Sequence, residues 1–110
     1  MGEQAFEVSA SGDVCTVHCV GRLNAEQAPR LREQVKPLVR NARRVTLDLS
    51  EVTYMDSIGL GTIASLYVSA RTAGCQLEVI NLSRRIRDLF SMTHLLSLFE
   101  AAGQSNARMP

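Results

Sequence analysis

The stretch VTLDLSEVTYMDSIGLGTIASLYVSA, residues 45–70, changes its apolar period from two to about 3.6 across one corner. Val45, Leu47 and Leu49 alternate with Thr46 and Asp48, which predicts a strand with one face in a core. Beyond the corner MDSIGLG, Leu60, Ile63, Ala64, Tyr67 and Ala70 recur at helical spacing, and Gly74 is a natural stop. At the corner stand Asp56, Ser57, Gly59 and Gly61. Ser57 there could be a nucleophile, part of a phosphate cradle, a modification site or a helix cap.

Outward from this stretch the chain continues in the same two periods. Residues 5 to 9 and 13 to 21 read as strands joined by the turn Ser11-Gly12-Asp13. GRLN then leads into a helix, with Asn24 as N-cap and Gln27 completing a capping box. Ala28, Leu31, Val35, Leu38 and Ala42 form its apolar stripe. Pro29 is tolerable near the first turn, whereas Pro37 is expected to kink or end the helix near Lys36. QLEVIN is another strand, and Ser83 caps a helix that turns Ile86, Leu89 and Phe90 inward and ends near Thr93. LLSLF is expected to make a short apolar return, and residues 101–110 a flexible tail behind a domain of residues 1–100. The order β-β-α-β-α-β-α predicts an α/β domain, its sheet partly parallel and its crossovers right-handed.

A chain of 110 residues holds one core, and 45% hydrophobic with 21% charged residues is ordinary for a globular protein. A net charge of +1 gives no reason to expect nucleic acid or an anionic membrane as partner. No stretch approaches the roughly 18 to 20 apolar residues that span a bilayer. MGEQAFEVSA lacks the basic start and apolar run of a secretory signal, and Phe6 stands where a myristoylation site needs Ser or Thr. Cys15 and Cys19 share a strand face roughly 13 Å apart, too far for a disulfide, with His18 on the opposite face. Reduced, buried thiols in a cytoplasmic protein are expected, with no metal and no cofactor. Arg84, Arg85 and Arg87 in a first helical turn oppose the helix dipole and read as a solvated face.

Each chemistry open to Ser57 needs different neighbours. A nucleophile elbow needs glycine on both sides, but residue 55 is Met; the candidate bases are His18 and His94, and Asp88 is the formal carboxylate. A phosphate loop needs a lysine after its glycines, and none follows Gly61. Asp56 or Ser57 would suit a helix cap, contributing about 0.5 to 2 kcal/mol. A first-turn serine also exposes its hydroxyl to a kinase, and a phosphate would add roughly −1.5 to −2 charges beside Asp56. The corner by itself leaves cap and switch both open.

The wider sequence resembles the STAS domain, specifically the bacterial anti-sigma factor antagonists. VTLDLSEVTYMDSIGLGTI resembles that family's strand followed by D-S-x-G-L, and LEVINLSRRIRDLFSMTHLLSLF resembles its V-N-x-S segment with the T-G-L and L-F beyond it. GRLN resembles its G-E-L-D, so the similarity covers roughly residues 5 to 100. The resemblance implies a STAS-like single domain with a mixed four- to five-stranded sheet and helices mainly on one face. It implies partner switching rather than catalysis. The unphosphorylated protein binds an anti-sigma factor serine kinase and frees a sigma factor; phosphorylation of Ser57 breaks the complex, and a PP2C-type phosphatase restores it. Asp56, Ser57, Ile58 and Gly59 would form the docking surface, with Arg22 and Asn24 beside it. A non-cycling STAS subunit of a stressosome-like or ABC lipid-transport assembly is the alternative, and a small serine hydrolase the third. Three departures from the pattern involve four positions: Arg22 and Asn24 replace acidic residues, His94 replaces a glycine, and Ile58 replaces a second serine.

Overall fold

The apolar periods become seven elements in the computed structural model, which describes residues 5–92. They are β1 (Ala5–Ser11), β2 (Val14–Leu23), α1 (Ala28–Asn41), β3 (Arg44–Met55), α2 (Ser57–Ala73), β4 (Gln76–Ile80) and α3 (Arg84–Met92). The strands form one mixed sheet in the order β1-β2-β3-β4, with β1 antiparallel to β2 and the other pairs parallel. A parallel step needs a crossover, and α1 and α2 supply the two. The expected α/β architecture and element order hold. LLSLF and the tail lie outside the described residues.

Alternation decides which face is covered. Cys15, Val17 and Cys19 of β2, Val45, Leu47 and Leu49 of β3, and Leu77 and Val79 of β4 are buried. They form one cluster with Leu31, Val35 and Val39 of α1, Leu60, Ile63, Leu66 and Tyr67 of α2, and Ile86 and Phe90 of α3. Each fully buried Leu or Ile contributes roughly 1.5–3 kcal/mol. α2 packs against both α1 and β4. The other sheet face is polar, and there the Thr46 hydroxyl donates to Glu78 Oε2 at 3.0 Å. The three cysteines are free and buried; burial, with the Asp48 charge second, pushes the Cys19 thiol up to about 12.

Simple alternation stops at Leu49. The next core-facing residues of β3 are Val52 and Met55, because β3 carries two extra residues relative to β2. The register runs His18 to Asp48, Val20 to Glu51, Gly21 to Val52 and Arg22 to Tyr54. Gly21 takes a φ of 96° at the second shift, a conformation that residues with a Cβ rarely adopt.

Two local expectations for α1 are corrected. The helix does not end near Lys36 but runs through Pro37 to Asn41. Glu33 and Pro37 are both exposed, so the carbonyl that loses its donor lies on the solvated side. The side-chain amide of Asn41 also donates to the Pro37 carbonyl at 3.0 Å. At the other end, Asn24 caps the turn before the helix rather than the helix itself. Its Oδ1 accepts from the N–H groups of Glu26 and Gln27, both at 3.1 Å. The helix begins at Ala28, and the Gln27 side-chain oxygen is buried without a donor, so the box is not closed.

Candidate functional site at the corner between β3 and α2

Extended backbone at Asp56 ends β3 and aims its carboxylate back over the first turn of α2. Oδ1 accepts from the N–H groups of Ile58 at 3.0 Å and Gly59 at 2.9 Å. The carbonyl of Asp56 takes the next donor, Leu60 N–H, at 3.0 Å. Asp56 is therefore the cap, and Ser57 is the first helical residue. Of the helix's free amides, Asp56 occupies two and leaves that of Ser57.

The same aspartate joins two loops. Its Oδ2 accepts from Ala25 N–H at 3.2 Å, and its own N–H donates to the Leu23 carbonyl at 3.4 Å. Gly59 packs on that carbonyl: a Cβ there would overlap the Leu23 oxygen and lie 3.1 Å from its carbon. The absence of a side chain at residue 59 thus lets α2 seat against the end of β2.

Above this stapled base the surface is unsatisfied. Ser57 is exposed, Ile58 is 52% exposed and Tyr54 is 43% exposed. The Arg22 guanidinium lies over the Tyr54 ring, 5.5 Å from its centroid. The structure thereby brings the six candidate residues onto two adjoining segments. Arg22, Ser57 and Ile58 face outward, whereas Asn24, Asp56 and Gly59 shape the base beneath them. Tyr54, the Leu23 carbonyl and the Ala25 amide are participants that sequence reasoning missed. An aromatic residue two positions before Asp56 was the one available signal.

Of the two candidate bases for Ser57, the described one is engaged elsewhere. His18 Nδ1 lies 3.3 Å from Asp48 Oδ2, and its Nε2 lies 3.7 Å from Glu51 Oε2, both on the polar sheet face. His94 lies outside the described residues. Among the described residues, surface clefts run along α1, between α1 and α2, and beside α3. Among the described residues no group of His, Cys, Asp or Glu is placed to hold a metal ion, and no helix is long and apolar enough to cross a membrane. Arg84 and Arg85 are exposed and Arg87 is half-buried.

Known proteins share both sequence and fold with this chain. It is 33% identical over 89 residues to the anti-sigma-B factor antagonist of Bacillus subtilis, covering 81% of this chain and 82% of that protein. An anti-sigma factor antagonist from Mycobacterium paratuberculosis superposes with a TM-score of 0.79 at 22% identity, over 88% of this chain and 83% of that one. The antagonist SpoIIAA superposes in its unphosphorylated form with a TM-score of 0.69 at 15% identity, covering 80% of this chain and 83% of that one. Its phosphorylated form, from Bacillus, gives 0.67 at 17% identity, covering 83% and 85%. The STAS domain profile matches residues 5–106, and the chain belongs to the STAS domain family.

Proposed function

We propose that this chain is an anti-sigma factor antagonist whose unmodified corner binds an anti-sigma factor serine kinase and so frees a sigma factor. Phosphorylation of Ser57 ends the interaction, and a PP2C-type phosphatase reverses it, all in the cytoplasm. The chain performs no catalysis of its own. The relationship to an anti-sigma-B factor antagonist supports the class of partner.

The carrying observation is that Asp56 already takes the N–H groups of Ile58 and Gly59. A phosphate on Ser57 adds roughly −1.5 to −2 charges at a helix start whose donors are largely spent, beside a carboxylate. Of the first-turn donors Asp56 leaves only the Ser57 amide, so the charge faces outward, where it repels a bound partner or competes with it for Arg22. The fold survives, because Ser57 is exposed and buries nothing.

The test is incubation with the cognate kinase and ATP, followed by intact-mass analysis and pull-down. Wild type should gain one phosphate and Ser57→Ala none. Ser57→Ala should keep binding and Ser57→Asp should weaken it by about tenfold or more, some 1.4 kcal/mol. Phosphate on another residue, or full binding by Ser57→Asp, would refute the reading.

A further inference from the structure

Resting on the antagonist reading above, we infer that the stacked pair Arg22–Tyr54 selects the partner by charge, taking a carboxylate presented by the anti-sigma factor. Five features of the corner carry this. The backbone beneath Arg22 is held, because the next residue, Leu23, offers the carbonyl that Asp56 N–H and Gly59 engage. The two extra residues in β3 bring Tyr54, rather than buried Val52, opposite Arg22. The ring then supports the guanidinium, so a planar fork of donors is already partly ordered before a partner arrives.

The charge is also unspent. Arg43 pairs with Asp13 at 3.1 Å, whereas among the described residues Arg22 has no carboxylate partner. Neither the aspartate of the facing corner nor the acid closest to it in sequence neutralises it. Asp56 is committed to three N–H donors, and Glu26 is exposed and makes no ion pair with Arg22.

Finally, the pair adjoins the corner that carries Ser57 and Ile58: Tyr54 precedes Ser57 by three residues, and Leu23, next to Arg22, accepts from Asp56 N–H, so a partner docking over Ser57 is placed to reach the guanidinium. Arg and Tyr are two of the residue types enriched in binding hot spots. Covering an unpaired guanidinium with apolar surface is costly, while a carboxylate matches its fork in a bidentate pair. A partner with Lys or Arg at that point is rejected by repulsion, which makes Arg22 a specificity-determining residue.

The experiment measures binding of the full chain to each kinase-type anti-sigma factor encoded in the source genome. Biolayer interferometry at about 50 mM and about 300 mM salt brackets the screening of a rim charge. Arg22→Glu should lower affinity for the wild-type partner by about tenfold or more, and Arg22→Lys by about threefold, since Lys lacks the fork. Arg22→Gln should flatten the salt dependence, with far-UV circular dichroism and Tm unchanged. A single Asp→Lys or Glu→Lys change in the partner should restore binding to Arg22→Glu. The inference is overturned if Arg22→Glu and Arg22→Gln bind within about twofold of wild type while Ser57→Asp still weakens binding. If no anti-sigma factor binds, or Ser57→Asp binds as wild type does, the antagonist reading itself falls and takes the inference with it.

Discussion

Two aspartates of β3 and its end, eight residues apart in sequence, use one device for different ends. Asp48 Oδ1 accepts from Ser50 N–H and the Asn81 side-chain amide, both at 3.0 Å, and Oδ2 pairs with His18. Asp56 accepts from Ile58, Gly59 and Ala25. Each carboxylate thus joins segments some thirty residues apart. Around Asp48 the network closes: His18 also faces Glu51, and Asn81 is held at a φ of 59° after β4. Around Asp56 it stays open, because Tyr54, Ser57 and Ile58 stand exposed beside a base that is fully bonded. Asp48 is a lock. Asp56 is a pedestal, and what it leaves unsatisfied is the surface available to a partner.

The largest expected effect comes from breaking the pedestal at Gly59. Gly59→Ala puts a methyl group into the Leu23 carbonyl, which is backbone and cannot rotate away. Helix propensity returns up to about 1 kcal/mol, but α2 must shift off the end of β2. The net loss should be about 2–3 kcal/mol, the upper range for overpacking, and Tm should fall by about 10 °C or more. Urea and thermal unfolding followed by circular dichroism would check this. A Tm within about 2 °C of wild type would mean that α2 does not rest on Leu23.

Next comes the contrast between the aspartates. Asp48→Ala removes the charge-assisted hydrogen bonds from the Asn81 amide and the Ser50 N–H and should cost about 2 kcal/mol. Asp56→Ala loses a cap and should cost about 1 kcal/mol, yet it should weaken partner binding more if the pedestal carries the proposed contact surface. The lock also has a pH dependence. Partial burial acts to raise the Asp48 carboxyl, but hydrogen bonds from Asn81, Ser50 and His18 outweigh it and hold the group below the ordinary carboxylate value. A lowered folded pKa means stability present above the unfolded value, about 3.9, and lost as pH falls through the folded one. The stability gap between wild type and Asp48→Asn should therefore be full at about pH 7 and shrink below about pH 4. Urea titrations at both ends of that range would show it; a constant gap would remove the charged lock.

How far these features could be read in advance depends on the range of each interaction. The strand of Val45, Leu47 and Leu49, the stripe on α2 and the stop at Gly74 are written locally, in periods of two and 3.6, and fold as they read. The corner was half legible: a polar pair before a helix announces a cap, but only the backbone angles assign it to Asp56 and leave Ser57 in the first turn. The bond from Ala25 to Asp56 and the stack of Arg22 on Tyr54 were not legible. Both depend on where β2 ends against β3, and two extra residues in β3 move that point beyond what alternation can count. Pro37 misleads for the opposite reason, since its cost depends on whether the orphaned carbonyl meets water, which sequence alone does not state.

The smallest expected effect has the opposite sign and lies two residues from the largest. Gly61 is exposed on α2, and a Cβ there would meet nothing within 4 Å. Gly61→Ala should therefore stabilise the chain by about 0.5–1 kcal/mol, through helix propensity and a less disordered unfolded state. Paired with Gly59→Ala, it separates the two glycines of MDSIGLG: one is empty so that the helix can approach β2, and the other is not required by the fold. Binding then decides why residue 61 is small. If Gly61→Ala raises Tm and binds the proposed anti-sigma factor partner as wild type does, the contact surface ends before the second turn of α2. If Tm rises while affinity falls, the partner's surface reaches along the helix to residue 61, and the exposed rim is wider than Arg22, Tyr54, Ser57 and Ile58. A fall in Tm would contradict the open space itself.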